Sequence, residues 1–155
     1  MNGLTDILSI QSIEAGLGAA NKKGVFQHLA TAMSRRTGVE AKIILAALSE
    51  REKLGSTGFG GGVAIPHGKL DGLPQVVGYF ARLTAPIDFQ AVDGLPVDLV
   101  FMLLSPTDAG VDHLKALASV SRLFRDRQMG AKLRGARSKD AIFALLSGVE
   151  ALDAA

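Results

Sequence analysis

Residues 51–69 read REKLGSTGFGGGVAIPHGK. The stretch is predicted to close a helix at Gly55, cross a loop holding Gly58, Gly60, Gly61 and Gly62, and run into the short apolar segment Val63-Ala64-Ile65. Pro66-His67-Gly68 stops that segment. Proline confines the residue before it to extended geometry, so Ile65 is predicted to end a strand with His67 just past its end. Gly68 lacks a Cβ, which lets the backbone and a partner approach the imidazole. A histidine at a strand end, beside a loop stripped of side chains, is a candidate nucleophile.

Upstream, Asn21 is a suitable N-cap for a helix running to about Arg36, with Gly38 as its stop. Phe26, Leu29, Ala30 and Met33 recur at helical spacing and mark its buried stripe. His28, Thr31 and Arg35 fall on a polar face, so His28 reads as a surface residue. A second helix is predicted from about Glu40 to Lys53, with Ile44, Ala47 and Leu48 inside. At roughly 100° per residue, Arg51 projects between Ile44 and Ala47, whereas Glu50 and Glu52 point elsewhere. That places a guanidinium one turn before the loop, within reach of an anion bound near His67. Residues 7–10 fit a helical turn or a strand start equally well.

Downstream, residues 76–83 (VVGYFARL) read as a strand and residues 87–92 as another, short one. Asp93-Gly94 signals a turn. The almost unbroken apolar run 97–104 fits a central strand covered on both faces, ended by Ser105-Pro106. A helix is expected from Asp112, as N-cap, to about Arg125, with Leu114, Leu117, Ala118, Ser121 and Phe124 inward. His113 then lies in its first turn, where unpaired amides favour negative charge. Two further helices follow, one after Asp126 and one from Ser138 to about Leu146. Helices at both ends with strands between them predict a three-layer α/β domain, its mixed β-sheet flanked by helices on both faces.

A chain of 155 residues is most simply one domain, and buries roughly 70% of the surface that its unfolded form exposes. The absence of cysteine removes thiol catalysis and zinc–thiolate sites. No secretory signal and no membrane-spanning run is read, so the expectation is a soluble, cytoplasmic protein without direct membrane insertion. The net charge is only +2. Basic residues gather between Arg122 and Lys139, but few aromatics interleave with them. They read as a solvated helical face, and no nucleic acid is expected as a partner.

Spacing narrows the chemistry. A Walker A loop ending at Gly68-Lys69 needs glycine at position 63 and a hydroxyl at position 70; Val63 and Leu70 stand there. A dinucleotide fingerprint from Gly58 also fails at Val63. His67 and His113, with Asp71, Asp108 or Asp112, lack the i, i+4 spacing of helical metal sites, and HExxH and GxSxG are both absent. A 2H-type phosphodiesterase needs a hydroxyl two residues after each histidine, where Lys69 and Lys115 stand. What remains is histidine as a phosphoryl carrier. With an ordinary pKa near 6.5, about three quarters of an imidazole is neutral at pH 7 and nucleophilic without a dedicated base. Arg51 and His113 are the candidate phosphate-holding groups, each charge-assisted bond contributing about 1.5–3 kcal/mol. A binding module whose His67 never reacts, and a metal-dependent hydrolase, stand as competing readings.

The signature REKLGSTGFGGGVAIPHGK resembles the active-site stretch of the fructose/mannitol-type enzyme IIA domains of the bacterial phosphoenolpyruvate:sugar phosphotransferase system. The segments LTDILS, PIDFQAVDGLPVDLVFMLLSP and DHLKALASVSRLFRD are similar to its nitrogen-regulatory branch, and the resemblance spans nearly the whole chain. It implies one EIIA type 2 domain over residues 1–155 and phosphorylation of His67 by a histidine phosphocarrier protein, HPr or its nitrogen paralogue NPr. It implies assisting roles for His113 and Arg51, with no cofactor and no metal. Ser56, Thr57 and Gly68 are expected to shape the loop or meet phosphate. Phe59 and Gly61 depart from the family's usual aliphatic residue and asparagine; Phe59 either docks a carrier or packs inward. The expected output is regulation of target proteins by phosphorylation state. The alternative is delivery of phosphate to a separate IIB domain of a sugar transporter.

Overall fold

The computed structural model describes residues 4–154; residues 1–3 and 155, which the expected domain includes, lie outside the described residues. The axis of the fold is strand β6, Val97–Pro106, buried at every position except Asp98. On one side it pairs antiparallel with β5, Val77–Ile87. On the other it pairs in parallel with two short strands in succession, β3 (Val63–Ala64) and β4 (His67–Leu70). β1 (Ile13–Leu17) lies parallel outside β5, and β2 (Gly58–Gly60) antiparallel outside β3. The six-stranded sheet is mixed.

Alternation along β6 divides the core in two. Val100, Met102 and Leu104 pack towards helices α1 (Lys22–Thr37) and α2 (Ala41–Lys53), against Phe26, Leu29, Met33, Ile44 and Leu48. Leu99, Phe101 and Leu103 pack towards α3 (Val111–Arg125), α4 (Arg127–Gly135) and α5 (Lys139–Ala154), against Val120, Phe124, Leu133 and Ile142. At about 1.5–3 kcal/mol per large apolar side chain, burial on both faces makes β6 the strand least able to accept change. The three-layer α/β architecture is the one the sequence predicts. No helix among the described residues is long and apolar enough to cross a membrane.

Local signals set the helix ends. The Asn21 side chain accepts from the Gly24 N–H at 2.8 Å, and Gly38 stops α1 at φ 80°. Asp126 accepts from the Gln128 N–H to cap α4, and Ser138 accepts from the Ala141 N–H to cap α5, which runs past the expected end at Leu146.

Residues 7–10, open between a helical turn and a strand start, link and enter two 3-10 turns, Leu4–Asp6 and Ile10–Ser12, ahead of β1. Other expectations need correction. No strand spans 87–92: Ile87 ends β5, and the chain turns at Gln90 (φ 56°), whose N–H is held by Asp88. Gly110, not Asp112, stands at the N-cap of α3. The inward face of α3 is His113, Ala116, Val120, Leu123 and Phe124, while Leu114 is 65% exposed and Ala118 also faces out. Apolar spacing alone missed this because a polar side chain, His113, takes an inward place against a polar partner on β6.

Candidate active site

Among the described residues β4 pairs with β6 and with no other strand, so its outer edge is open there. His67 does not trail a strand end as expected; it is the first residue of β4, opposite Leu103. The two-residue β3 stops at Ala64, Ile65 and Pro66 bridge, and the Pro66 carbonyl accepts from the Leu103 N–H to restart the ladder. Alternation puts His67 and Lys69 on the α3 face, and Gly68 and Leu70 on the α1/α2 face. The glycine hairpin is farther off than the sequence suggests. Val63 pairs with Leu99 and His67 with Leu103, four residues along β6, or roughly 13 Å at the strand rise. Gly60, Gly61 and Gly62 form that hairpin's tip with positive φ. It is held by Asp93, which accepts from the Gly61 N–H, and by Arg134, which donates to the Gly61 carbonyl.

Gly68 brings α2 to the edge. A Cβ at this position would stand 3.3 Å from the Ala47 Cβ and 3.5 Å from the Ala47 carbonyl carbon. The approach it permits is therefore that of α2. One helical turn beyond Ala47 lies Arg51, which reaches round the open edge of β4. Its Nε–H donates to His67 Nε2 at 3.2 Å, and its Nη1–H to the Gly55 carbonyl at 2.9 Å.

These bonds determine the His67 tautomer. A guanidinium has donors only, so Nε2 is the acceptor and carries the lone pair. Nδ1 then bears the proton and donates to the Ile65 carbonyl at 2.8 Å. Burial, above all, holds the half-buried imidazole below its ordinary proton affinity; the Ile65 bond opposes this, Arg51 reinforces it and Glu52 opposes it more weakly. The ring is thus neutral, with its lone pair at Nε2.

His113 faces it, the two ring centroids 5.8 Å apart. It is 7% exposed, its Nδ1 is 2.6 Å from the Ser105 hydroxyl, and burial followed by the charges of His67 and Lys69 lowers its proton affinity. The cleft between them measures about 380 Å³ and is lined by Ala47, Glu50, Arg51, Leu54, His67, Gly68, Lys69 and His113. Among its lining residues Leu54 is 84% exposed.

Of the residues singled out in the sequence, the structure brings His67, His113, Arg51 and Gly68 together. Ser56 and Thr57 are turned into the protein: Ser56 donates to the Phe89 carbonyl, Thr57 to Glu52. Phe59 is half-buried and packs inward against the α3-side core. His28 is exposed and paired with Glu14. Glu50 lines the cleft, contrary to expectation. Glu52, also expected to point away, accepts from the Thr57 N–H, the Thr57 hydroxyl and Lys22. Lys69 and Ser105 were not singled out as site residues; continuing the alternation from His67 and from Leu103 would have placed both on the α3 face. Among the described residues, no three histidine or carboxylate side chains group as a metal site.

Residues 6–149 match the family described as "Phosphoenolpyruvate-dependent sugar phosphotransferase system, EIIA 2". A nitrogen regulatory protein of Bradyrhizobium diazoefficiens is 48% identical over 144 residues, covering 93% of this chain and 94% of its own. The crystal structure of nitrogen regulatory protein IIA-Ntr from Neisseria meningitidis superposes with a TM-score of 0.87 at 35% identity, covering 91% of this chain and 97% of its own. The Escherichia coli mannitol enzyme IIA, solved in complex with phosphorylated enzyme IIB, shares the fold at 22% identity, with a TM-score of 0.78 and coverage of 91% and 97%. This chain belongs to the EIIA type 2 family of the phosphotransferase system, phosphoryl carriers of the fructose/mannitol type, and within it to the nitrogen-regulatory proteins.

Proposed function

We propose that the protein accepts a phosphoryl group on His67 Nε2 from a histidine phosphocarrier protein, HPr or NPr, and regulates partner proteins according to its phosphorylation state. The supporting observation is the pair of bonds on the His67 ring: Nδ1–H to the Ile65 carbonyl, and Arg51 Nε–H to the Nε2 lone pair. In the transfer step, that lone pair attacks phosphorus. The P–N bond to the carrier's imidazole breaks as the P–Nε2 bond forms, and the carrier ring, protonated on its other nitrogen, takes the electron pair and leaves as neutral imidazole. Nδ1 keeps its proton on the Ile65 carbonyl throughout. Arg51 releases Nε2 and pairs with the phosphoryl oxygens, with His113 donating from the other side of the cleft. Both groups are placed before the phosphoryl arrives, as positioning and electrostatic catalysis require. Ser56, Thr57 and Gly68 shape the surroundings and do not contact phosphate. The whole chain acts as one domain, in the cytoplasm.

A second reading is passage of phosphate to a separately encoded IIB domain. The mannitol relative of the same fold, solved with a phosphorylated IIB, favours it. The test is incubation with phosphorylated carrier followed by intact-mass measurement. One acid-labile phosphoryl group is expected on the parent and none on His67→Ala. An unmodified parent, or an adduct surviving in His67→Ala, overturns the proposal.

A further inference from the structure

Ser105 has no solvent exposure. It lies opposite Lys69 in the β4–β6 register and continues the series Leu99, Phe101, Leu103 that faces α3. A serine hydroxyl carries one proton, and burying it without an acceptor is costly. The hydrogen-bond partner that the described residues give Ser105 Oγ is His113 Nδ1, at 2.6 Å, and no buried side-chain polar atom among them is left unpaired.

The contact can form in two ways. If His113 Nδ1 carried the ring proton, Ser105 would accept it and its own O–H would point into an apolar interior. If Nδ1 is bare, the hydroxyl donates to it and one bond satisfies both groups. The second arrangement leaves the ring proton on Nε2. We propose that Ser105 is a positioning residue that fixes neutral His113 in the Nε2–H tautomer and orients that N–H towards the phosphoryl group on His67. The role rests on the relay reading; the tautomer does not. It also assigns the two cleft rings opposite parts: His67 presents a lone pair at Nε2, while His113 presents a proton there. A neutral donor suits this place, because Arg51 and Lys69 already bring positive charge to the cleft.

The experiment is nitrogen-15 NMR of the histidine rings in the unphosphorylated parent and in Ser105→Ala, at about pH 8, where imidazoles are neutral. The parent His113 is expected to show a protonated Nε2 and a hydrogen-bonded, unprotonated Nδ1. In Ser105→Ala the Nδ1 resonance moves towards its unbonded position, and transfer from phosphorylated carrier slows about fivefold, the effect of one hydrogen bond. A parent His113 protonated on Nδ1 overturns the proposal without need of the variant, as does an unchanged Nδ1 resonance in a folded Ser105→Ala. A parent that takes up no phosphate sinks the relay reading instead, and the nitrogen spectrum still decides the tautomer.

Discussion

Arg51 Nε donates to His67 Nε2 at 3.2 Å, so the cation proposed to hold the phosphoryl group already occupies the lone pair proposed to attack it. The contact does not block the reaction, because a neutral imidazole is a modest acceptor and phosphoryl oxygens are stronger ones. It keeps the guanidinium in place, pinned also to the Gly55 carbonyl, until an anion enters the cleft.

Removing that group tests the assignment. In Arg51→Gln, phosphorylated His67 loses a charge-assisted bond of about 1.5–3 kcal/mol, and the phosphoprotein is expected to hydrolyse roughly 10- to 100-fold faster. Arg51→Lys, which keeps the charge but not the planar fork, falls between. The decay of the phosphoryl adduct, followed by mass spectrometry, is the measurement. Equal lifetimes in all three proteins would remove Arg51 from the mechanism.

The two cleft histidines share a pH signature. Burial depresses the proton affinity of both, so below about pH 6.5 the unfolded chain binds protons that the folded protein resists. Their contribution to stability is therefore complete above that pH and is lost as the pH falls through the folded values. Histidine resonances should show both rings titrating below the ordinary midpoint. The urea midpoint should hold between about pH 8 and 7 and decline from about 6.5 to 5. That decline should be shallower in His113→Gln, and an equal slope in the two proteins would contradict the burial argument.

Much of this layout is legible in the sequence, for local reasons. Asn21 and Gly38 mark the ends of α1, the run 97–104 is too apolar for anything but a covered strand, and Pro66 before His67 marks a break in extended chain. What the sequence conceals is the neighbourhood. Nothing local says that β4 restarts beside β6, that the glycine hairpin is set off from His67 by four residues of β6, or that His113 turns inward. Each follows from pairing between distant segments, and a polar inward residue is invisible to apolar periodicity. Glu52 is the same case: on α2 it reads as a surface carboxylate, and its partners come from the returning loop and from Lys22 on α1.

That carboxylate is expected to matter for stability. Its side chain is 8% exposed and joins Lys22 on α1 to both the N–H and the hydroxyl of Thr57. Glu52→Ala leaves the two Thr57 donors unpaired and removes the carboxylate from Lys22, which keeps Gln90 and the face of Phe89 as partners, at a cost of about 3 kcal/mol. Glu52→Gln, which still offers one oxygen, should cost less. Urea denaturation of the three proteins provides the ranking, and a Glu52→Ala midpoint equal to the parent's would show that the loop is held by something else.

The distance from α2 to β4 sets where Arg51 stands, and it can be altered from either side. Gly68→Ala places a Cβ 3.3 Å from that of Ala47, tighter than ordinary contact, so α2 must yield by a few tenths of an ångström. Overpacking of this kind costs about 1–3 kcal/mol, but the larger consequence is expected in transfer, because Arg51 lies one turn along the displaced helix. Ala47→Gly, at about 1 kcal/mol of helix propensity, vacates the space. The double variant Gly68→Ala/Ala47→Gly should therefore recover transfer rate while remaining less stable than the parent. Stopped-flow transfer from phosphorylated carrier, set beside urea midpoints, separates the two quantities. If rate follows stability across all four proteins, the glycine serves packing alone and the placement of Arg51 has some other origin.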